Sequence, residues 1–385
     1  MKSIPLSLYV HLPWCVRKCP YCDFNSHTAG DAAPRTRYLA ALIEDIESEA
    51  RHASERSLVS VFLGGGTPSL FTPDEIARLL DAVATHFSMA SDIEITMEAN
   101  PGTVECGDPS AYRKAGVNRL SIGAQSFSSE SLHLLGRIHS VEDISRSMHE
   151  ANAAGFDSIN LDLMYGLPQQ GVDAALADIE AALALQPQHL SWYQLTLEPN
   201  TVFHARPPAG LPDEELLWDI QDNGQRLLAG RGFDQYEISA WSQDGHRCRH
   251  NLNYWAFGDY LAVGAGAHGK LSDGRGVHRY AKAANPLSYM QGIEKHTVTD
   301  LPPALGETEL VFEFMLNALR LSDGFEEALF EERTGLPAGN LRAAAKEALK
   351  KGLLDQPGTD FWRPTALGRR FLNDLQAEFL PESAA

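Results

Sequence analysis

Three cysteines crowd into eight positions near the amino terminus, at Cys15, Cys19 and Cys22, and the other two cysteines lie far away in the chain. This spacing is typical of a metal site and not of a disulfide framework. One compact turn can present all three sulfurs to a single iron–sulfur cluster, and three ligands leave one iron open. A zinc site would need a fourth ligand, for which His27 is the only nearby candidate. Three buried structural cysteines are the remaining alternative.

A second concentration of unusual residues is the run GGGTP at Gly64 to Pro68. Glycines there allow backbone atoms to approach a ligand closely, although such a run by itself also marks an ordinary tight turn. Further polar residues that could touch a ligand follow other apolar stretches: Glu98, Gln125 and Asp162.

The elements that must position these residues alternate regularly. We predict strands at Ser7 to His11, Val59 to Leu63, Ile93 to Glu98, Arg119 to Gly123, Ser158 to Asp162 and His189 to Leu195. Amphipathic helices lie between them, for example Arg35 to Arg51 and Pro73 to Phe87, the latter capped by Thr72. Repeated βα units of this kind predict an α/β fold, an open (β/α)6 partial TIM barrel. The cysteines, glycines and carboxylates all follow strands, so we expect them together at the catalytic rim.

Composition restricts the classes of function. The 385 residues are 44% hydrophobic and 22% charged, which predicts a folded chain, and the net charge of −19 repels nucleic-acid phosphates. No apolar run reaches the length of a membrane span, and no secretory signal is recognisable. We therefore expect a protein without nucleic-acid partners that is cytoplasmic, or at most peripheral to the inner membrane.

Three parts are predicted along the chain. Residues 1–200 form the partial barrel, and residues 201–304 form an irregular extension packed on it, with a helix at Asp213 to Arg231. Residues 305–385 form a helix-rich, winged-helix-like domain. Its predicted elements are helices at Glu309 to Leu321, Glu326 to Arg333 and Leu341 to Lys351, followed by β stretches at Leu353 to Leu354 and Trp362 to Pro364.

The CxxxCxxC motif, with Tyr21 before its last cysteine, resembles the signature of the radical S-adenosylmethionine (SAM) superfamily. The resemblance implies a radical SAM core with a 4Fe-4S cluster on Cys15, Cys19 and Cys22, whose open iron is chelated by SAM. It also implies an electron donor such as a flavodoxin or a ferredoxin. By position, the residues that resemble contacts to the cluster-bound SAM are Tyr9, Tyr21, Gly65, Gly66, Thr67 and Glu98.

Within the superfamily the chain is similar to the oxygen-independent coproporphyrinogen III oxidase subgroup. The similarity is carried by Tyr9 to His11, Gly64 to Ser69, Arg119 to Gln125 and the segment NLDLMYGLP at Asn160 to Pro168. It implies that Gln125, Arg137 and Asp162 hold a second SAM, unless they only satisfy loop backbone. His268, in the run GAGAHG, is expected near the SAM site or as an anchor of its own loop.

The chain departs from the oxidase in its short amino-terminal segment and in lacking a further cysteine just after Cys22. It carries instead HNxxYW at His250 to Trp255, a motif similar to that of the heme chaperones in this subgroup. The similarity implies a heme chaperone that delivers heme to respiratory membrane proteins and is more plausibly a carrier than an enzyme. A dimer is one expected arrangement of the chain.

The HNxxYW motif also makes chemical sense as a heme contact. The imidazole of His250 offers an axial ligand, with Cys248 as the alternative. Tyr254 and Trp255 supply flat apolar area for the porphyrin, and Arg247 and Arg249 suit its propionates. Two rival functions remain: anaerobic oxidative decarboxylation of coproporphyrinogen III, and radical chemistry on another substrate such as RNA.

Overall fold

A computed structural model describes residues 4–30, 33–53, 56–102, 107–296 and 301–381. The elements of the first half are, in chain order, β1 (Leu6–Leu12), β2 (Trp14–Cys15), β3 (His27–Thr28), α1 (Arg35–Ala50), β4 (Leu58–Gly65), a short 3₁₀ turn (Pro68–Leu70), α2 (Pro73–His86), β5 (Met89–Ala99), α3 (Pro109–Lys114), β6 (Arg119–Gln125), α4 (Ser129–Leu134), α5 (Val141–Ala153), β7 (Ser158–Tyr165), α6 (Val172–Ala184), β8 (His189–Gln194) and α7 (Val202–Ala205).

The remaining elements are α8 (Glu214–Gly230), β9 (Asp234–Glu237), β10 (Ala240–Ser242), α9 (Arg249–Trp255), β11 (Asp259–Val263), β12 (His268–Asp273), β13 (Gly276–Ala281), α10 (Pro286–Glu294), α11 (Glu307–Ala318), β14 (Phe325–Glu326), α12 (Glu327–Thr334), α13 (Ala338–Ala344), α14 (Lys346–Lys350), β15 (Leu354–Asp355), β16 (Phe361–Pro364), α15 (Ala366–Arg370) and α16 (Leu372–Ala377).

The predicted (β/α)6 core is confirmed. Strands β1, β4, β5, β6, β7 and β8 are neighbours in that order, and each adjacent pair is parallel. In β1, Leu8 and Val10 are fully buried against the helical layer, while the alternate residues Tyr9 and His11 face the barrel interior. The predicted cap of α2 is also present, since the Thr72 hydroxyl accepts from the Glu75 backbone N–H and the Glu75 carboxylate accepts from that of Thr72.

The predicted irregular character of residues 201–304 is wrong. This segment adds five strands to the same sheet, whose full order is β13-β12-β11-β1-β4-β5-β6-β7-β8-β10-β9. Strand β11 pairs with β1 in parallel, and β10 pairs with β8 in the antiparallel sense. An open barrel leaves β1 and β8 as edges with unpaired backbone groups, and these added strands satisfy them. The three-part division of the chain stays a prediction.

The carboxy-terminal region has its own hydrophobic core, centred on Phe314, Phe330 and Trp362. Its predicted hairpin lies in a three-stranded sheet of order β14-β16-β15. The helix predicted over Leu341 to Lys351 is two helices, α13 and α14, because the chain bends at Ala345 where its small side chain is buried in this core.

Helix α8 packs so closely on the barrel that Gly224 has no room for a side chain. A Cβ at this position would lie 2.0 Å from Cη2 of Trp192. Gly230, the last residue of the same helix, has open space around it.

We predict that Gly224→Ala lowers the free energy of unfolding by about 1–3 kcal/mol, because overpacking outweighs the gain of about 1 kcal/mol in helix propensity. Gly230→Ala is the matched control and is expected to be neutral or slightly stabilising. Urea unfolding followed by circular dichroism measures both, and equal stability of the two variants would contradict the prediction.

Candidate functional site

The three cysteines line one cavity of about 610 Å³ at the carboxyl ends of the barrel strands. Cys15 ends the short strand β2, and Cys19 and Cys22 lie on the loop that follows it. A backbone hydrogen bond from the Cys22 N–H to the Cys19 carbonyl closes the turn between these two. All three are free and half-buried. His27, the candidate fourth ligand of a zinc site, bonds the Asn25 side chain and does not line the cavity.

The donor set fits an iron–sulfur cluster. The three thiols line a cavity of about 610 Å³, which has room for a cluster of several atoms between them. Arg137 lies beside this volume, with Nη1 donating to Cys19 Sγ at 3.6 Å and Nη2 to Asn100 Oδ1 at 2.6 Å. Hydrogen bonds to sulfur ligands of this kind tune cluster potential.

The GGGTP run approaches the cysteine loop too closely for other residues. Gly65 has φ +115°, and a Cβ there would lie 2.5 Å from the His11 ring. The backbone N–H groups of Gly66 and Thr67 donate to the carbonyls of Leu12 and Trp14, at 2.8 and 2.7 Å. A Cβ at Gly66 would lie 2.6 Å from the Trp14 carbonyl oxygen, so packing requires glycine at both Gly65 and Gly66, whatever ligand the cavity takes.

Two carboxylates make the cavity wall suited to a cation. Glu98 accepts a hydrogen bond from the Gly65 N–H at 3.1 Å, and its pKa is raised to about 8 by burial and by the nearby charge of Asp162. Asp162 accepts hydrogen bonds from Asn160 and Ser121, and burial raises its pKa also. A bound cation would favour the ionised form of both groups.

The remaining residues predicted for SAM fall into two groups. Tyr21, Thr67, Gln125 and Arg137 line the cysteine cavity together with Gly65, Gly66, Glu98 and Asp162. Gln125 has φ +69°, and its Oε1 accepts from the Tyr193 hydroxyl at 2.9 Å. The structure places Tyr9 and His268 elsewhere, in the wall of a second cavity of about 630 Å³ that shares Gly65 and Glu98 with the first.

The second cavity, which we call the aromatic cavity, is lined by Tyr9, Phe24, Tyr254, Trp255, Tyr260 and His268, among others. Its loop of residues 264–269 supports the cysteine loop, since the Asn25 side chain donates to the carbonyls of Ala265 and Ala284 at 2.9 and 2.8 Å. Gly266 has φ +75°, and a Cβ there would lie 2.3 Å from Asn25 Nδ2. The run GAGAHG thus supports the cysteine loop through Ala265 and Gly266. The two roles expected for His268, near the SAM site or as an anchor of its own loop, stay predictions.

The expectation that His250 faces a heme site does not match its position. The side chain is 2% exposed, stacks on Phe62 with ring centroids 4.9 Å apart, and lines neither cavity. Its Nδ1 bonds the Ser60 hydroxyl at 2.9 Å, and burial lowers its pKa to about 3. Glu94 of β5 accepts from the backbone N–H groups of Arg249 and His250, and these hydrogen bonds hold the start of α9 at the barrel.

Of the other residues predicted for the heme site, some lie away from both cavities and two line the aromatic cavity. Cys248 is buried, and its Sγ lies 3.4 Å from a Glu94 oxygen. Arg247 pairs with Asp323 and Arg249 with Asp92, so neither lines a cavity. Only Tyr254 and Trp255, at the end of α9, reach the aromatic cavity.

Sequence reasoning missed several residues of the two cavities. Asn100 and Tyr193 line the cysteine cavity. The sequence could have indicated both, because Asn100 directly follows a strand and Tyr193, two positions after the inward-facing Ser191, lies on the same face of its strand. Arg320 and Asn317, which also line the cavities, come from the carboxy-terminal region and carry no recognisable signal.

A partial barrel with three cysteines around one cavity at its rim defines a radical SAM protein. In agreement, the Radical SAM superfamily model matches residues 9–181, and the HemN C-terminal domain model matches residues 305–371. The heme chaperone HemW of Escherichia coli is 47% identical over 384 residues, which cover 99% of this chain and 100% of that protein. The chain belongs to the HemW family.

The chain is also similar to a mitochondrial protein and to a solved enzyme structure. The mouse mitochondrial radical S-adenosyl methionine domain-containing protein 1 is 36% identical over 364 residues, covering 91% of this chain and 82% of that protein. The solved structure of coproporphyrinogen III oxidase (HemN) from Escherichia coli, a radical SAM enzyme, matches with a TM-score of 0.82 at 25% identity. The match covers 98% of this chain and 90% of that one.

None of the helices in the described ranges is both long and apolar enough to cross a membrane.

The raised pKa of Glu98 predicts a pH effect on stability. Between its ordinary pKa of 4.5 and its folded value of about 8, the folded protein binds this proton more tightly than the unfolded chain does. The contribution of Glu98 to the unfolding free energy therefore falls as pH rises through this window. We expect Glu98→Gln to lose less stability than the parent protein between about pH 5 and about pH 8.

Urea unfolding of the ligand-free proteins at both pH values measures this difference. Glu130→Gln, at an exposed position on α4, is the control and should follow the parent protein. A parental pH dependence in Glu98→Gln would mean that Glu98 ionises normally.

Proposed function

We propose that this chain is a heme chaperone that also holds a 4Fe-4S cluster with bound SAM. The observation that carries the proposal is the similarity to the Escherichia coli heme chaperone HemW over the whole of both chains. The two adjoining cavities support it, because one carries three thiols and two carboxylates and the other has aromatic walls. Adjoining sites for a cluster with SAM and for a porphyrin are what such a protein requires.

In the cysteine cavity, Cys15, Cys19 and Cys22 would hold the cluster, and a bound SAM would contribute the ligands of the open iron. A cluster loaded in this way supplies one-electron reduction of the sulfonium. Glu98 and Asp162 would stabilise the positive charges of SAM, and Gly65 and Gly66 leave room for it along the backbone. Arg137 keeps Cys19 oriented through its bonds to Asn100 and to the Gly123 carbonyl.

In the aromatic cavity, Tyr254 and Trp255 would cover a porphyrin face. Transfer of this heme to respiratory membrane proteins, with a flavodoxin or ferredoxin as electron donor, completes the proposal. A location in the cytoplasm or at the inner membrane surface suits that role.

Coproporphyrinogen III oxidation is the second candidate function, and the match to the HemN structure is the observation that favours it. The two functions differ in outcome, since the oxidase converts substrate in the presence of SAM and a reductant whereas the chaperone retains heme. Incubation of the anaerobically reconstituted protein with coproporphyrinogen III, followed by chromatography of the porphyrins, separates them.

We expect Cys19→Ser to abolish SAM binding while leaving the secondary structure intact, because loss of one thiolate removes the cluster and with it the iron that chelates SAM. Cys248→Ala is the control, since Cys248 lines neither cavity. Equilibrium dialysis with labelled SAM and far-ultraviolet circular dichroism give the two readouts. Normal SAM binding by Cys19→Ser would contradict the cluster assignment.

We expect Trp255→Ala to weaken heme binding, because it removes flat apolar area from the aromatic cavity. Trp218→Ala is a matched control: both indoles are half-buried, and each lies under an arginine at 4.3 Å, but Trp218 is outside both cavities.

Anaerobic heme titration, followed by gel filtration and visible spectra of the protein peak, measures the retained heme. Equal retention by both tryptophan variants would remove the aromatic cavity from the proposal. Absence of retained heme in the parent protein would favour the oxidase.

A further inference from the structure

The imidazole of His268 lies in the wall of the aromatic cavity with no competing partner. It is exposed at the start of β12 and makes no hydrogen bond to any residue in the described ranges. Tyr254 and Trp255 line the same cavity from the end of α9. An imidazole without a hydrogen-bond partner, in a cavity wall that also carries two aromatic rings, combines an iron ligand with a surface for the porphyrin face.

His250 cannot take this role without leaving its place in the barrel. Its ring stacks on Phe62 and meets Tyr254 edge-on, with centroids 4.6 Å apart, so Tyr254 lies against it. The Nδ1 atom is held by the Ser60 hydroxyl, which donates in turn to Ser7. The Nε2 atom has no partner among the described residues, but it is enclosed by the barrel and faces neither cavity. Exposing His250 would break this packing and unpair buried polar groups, which is costly.

Two buried donors at the edge of the cavity point to an acidic ligand group. Trp255 Nε1 and Arg320 Nε are both buried, and neither has an acceptor among the described residues. They lie close together, because the Arg320 guanidinium is 4.3 Å from the centre of the Trp255 ring. Arg320 lines the cysteine cavity and Trp255 the aromatic cavity, so the pair sits where the two adjoin. A heme propionate here would give an acceptor to both donors, while Arg320 Nη2 keeps its pairing with Glu237 at 3.3 Å.

We propose that His268 is the axial ligand of the heme iron, with a propionate at Trp255 and Arg320, and that His250 is a structural residue of the barrel. This assignment rests on the proposed heme function. It places the iron ligand on the loop that supports Asn25 and therefore the cysteine loop. Heme and the cluster would then bind on two sides of the packed loops that meet at Asn25.

The test is a heme titration of the cluster-reconstituted full-length protein and of three variants. In His268→Gly we expect loss of the absorption and electron paramagnetic resonance signature of the ligated ferric iron, with affinity at least about tenfold weaker. Added imidazole should restore the parental spectrum, because the glycine leaves space for it. His149→Ala, which removes an exposed histidine of α5, should behave as the parent protein, and so should His250→Gln.

Three results would overturn the assignment. Heme binding by His268→Gly with the parental spectrum and affinity would exclude His268 as the ligand. If a folded His250→Gln variant lost the spectra of the ligated ferric iron while His268→Gly kept them, His250 would be the ligand. Failure of the parent protein to bind heme would remove both this assignment and the proposed function.

Discussion

Close approach of backbone to side chain around the cysteine loop is the constraint on which the site depends. His11 bonds the Asn25 carbonyl at 2.9 Å, and its ring leaves no room for a Cβ at Gly65. On the other side, the Asn25 side chain leaves none at Gly266. The loop that carries the three thiols is therefore fixed between β4 and the loop before β12. A side chain at either glycine would displace it.

The barrel interior is divided along its axis. Near the amino ends of the strands it is filled by polar side chains and by α9, whose Asn253 donates to the Ser7 hydroxyl and the Asp259 carbonyl. Near the carboxyl ends it opens into the two cavities. The HNxxYW motif spans both regions, since His250 and Asn253 are buried in the packed end while Tyr254 and Trp255 reach the aromatic cavity. One short helix thus closes the barrel and lines a site.

The carboxy-terminal region completes the cavities and is not a separate appendage. Asn317, at the end of α11, and Arg320, just after this helix, contribute to the cavity walls, and Arg320 is held by Glu237 of β9. The barrel lacks the strands that would close it, so the open side must be covered by other parts of the chain. The similarity to the Escherichia coli heme chaperone HemW likewise covers 99% of the chain and is not limited to the barrel.

The sequence by itself predicted the parallel (β/α)6 order and a cysteine site with Glu98, Gln125 and Asp162 near it, because these features follow from local periodicity and from the rule that parallel strands bring their carboxyl ends together. Arg137 follows a helix and was predicted only from the family resemblance. The sequence did not predict the added strands, the position of His250 or the role of Arg320. Those features depend on which distant segments meet. Strands β11 and β10 pair with the edge strands of the open barrel, and the start of α9 is hydrogen-bonded to Glu94. Only tertiary packing decides whether an imidazole faces a core or a cavity, so only the structure separated His250 from His268.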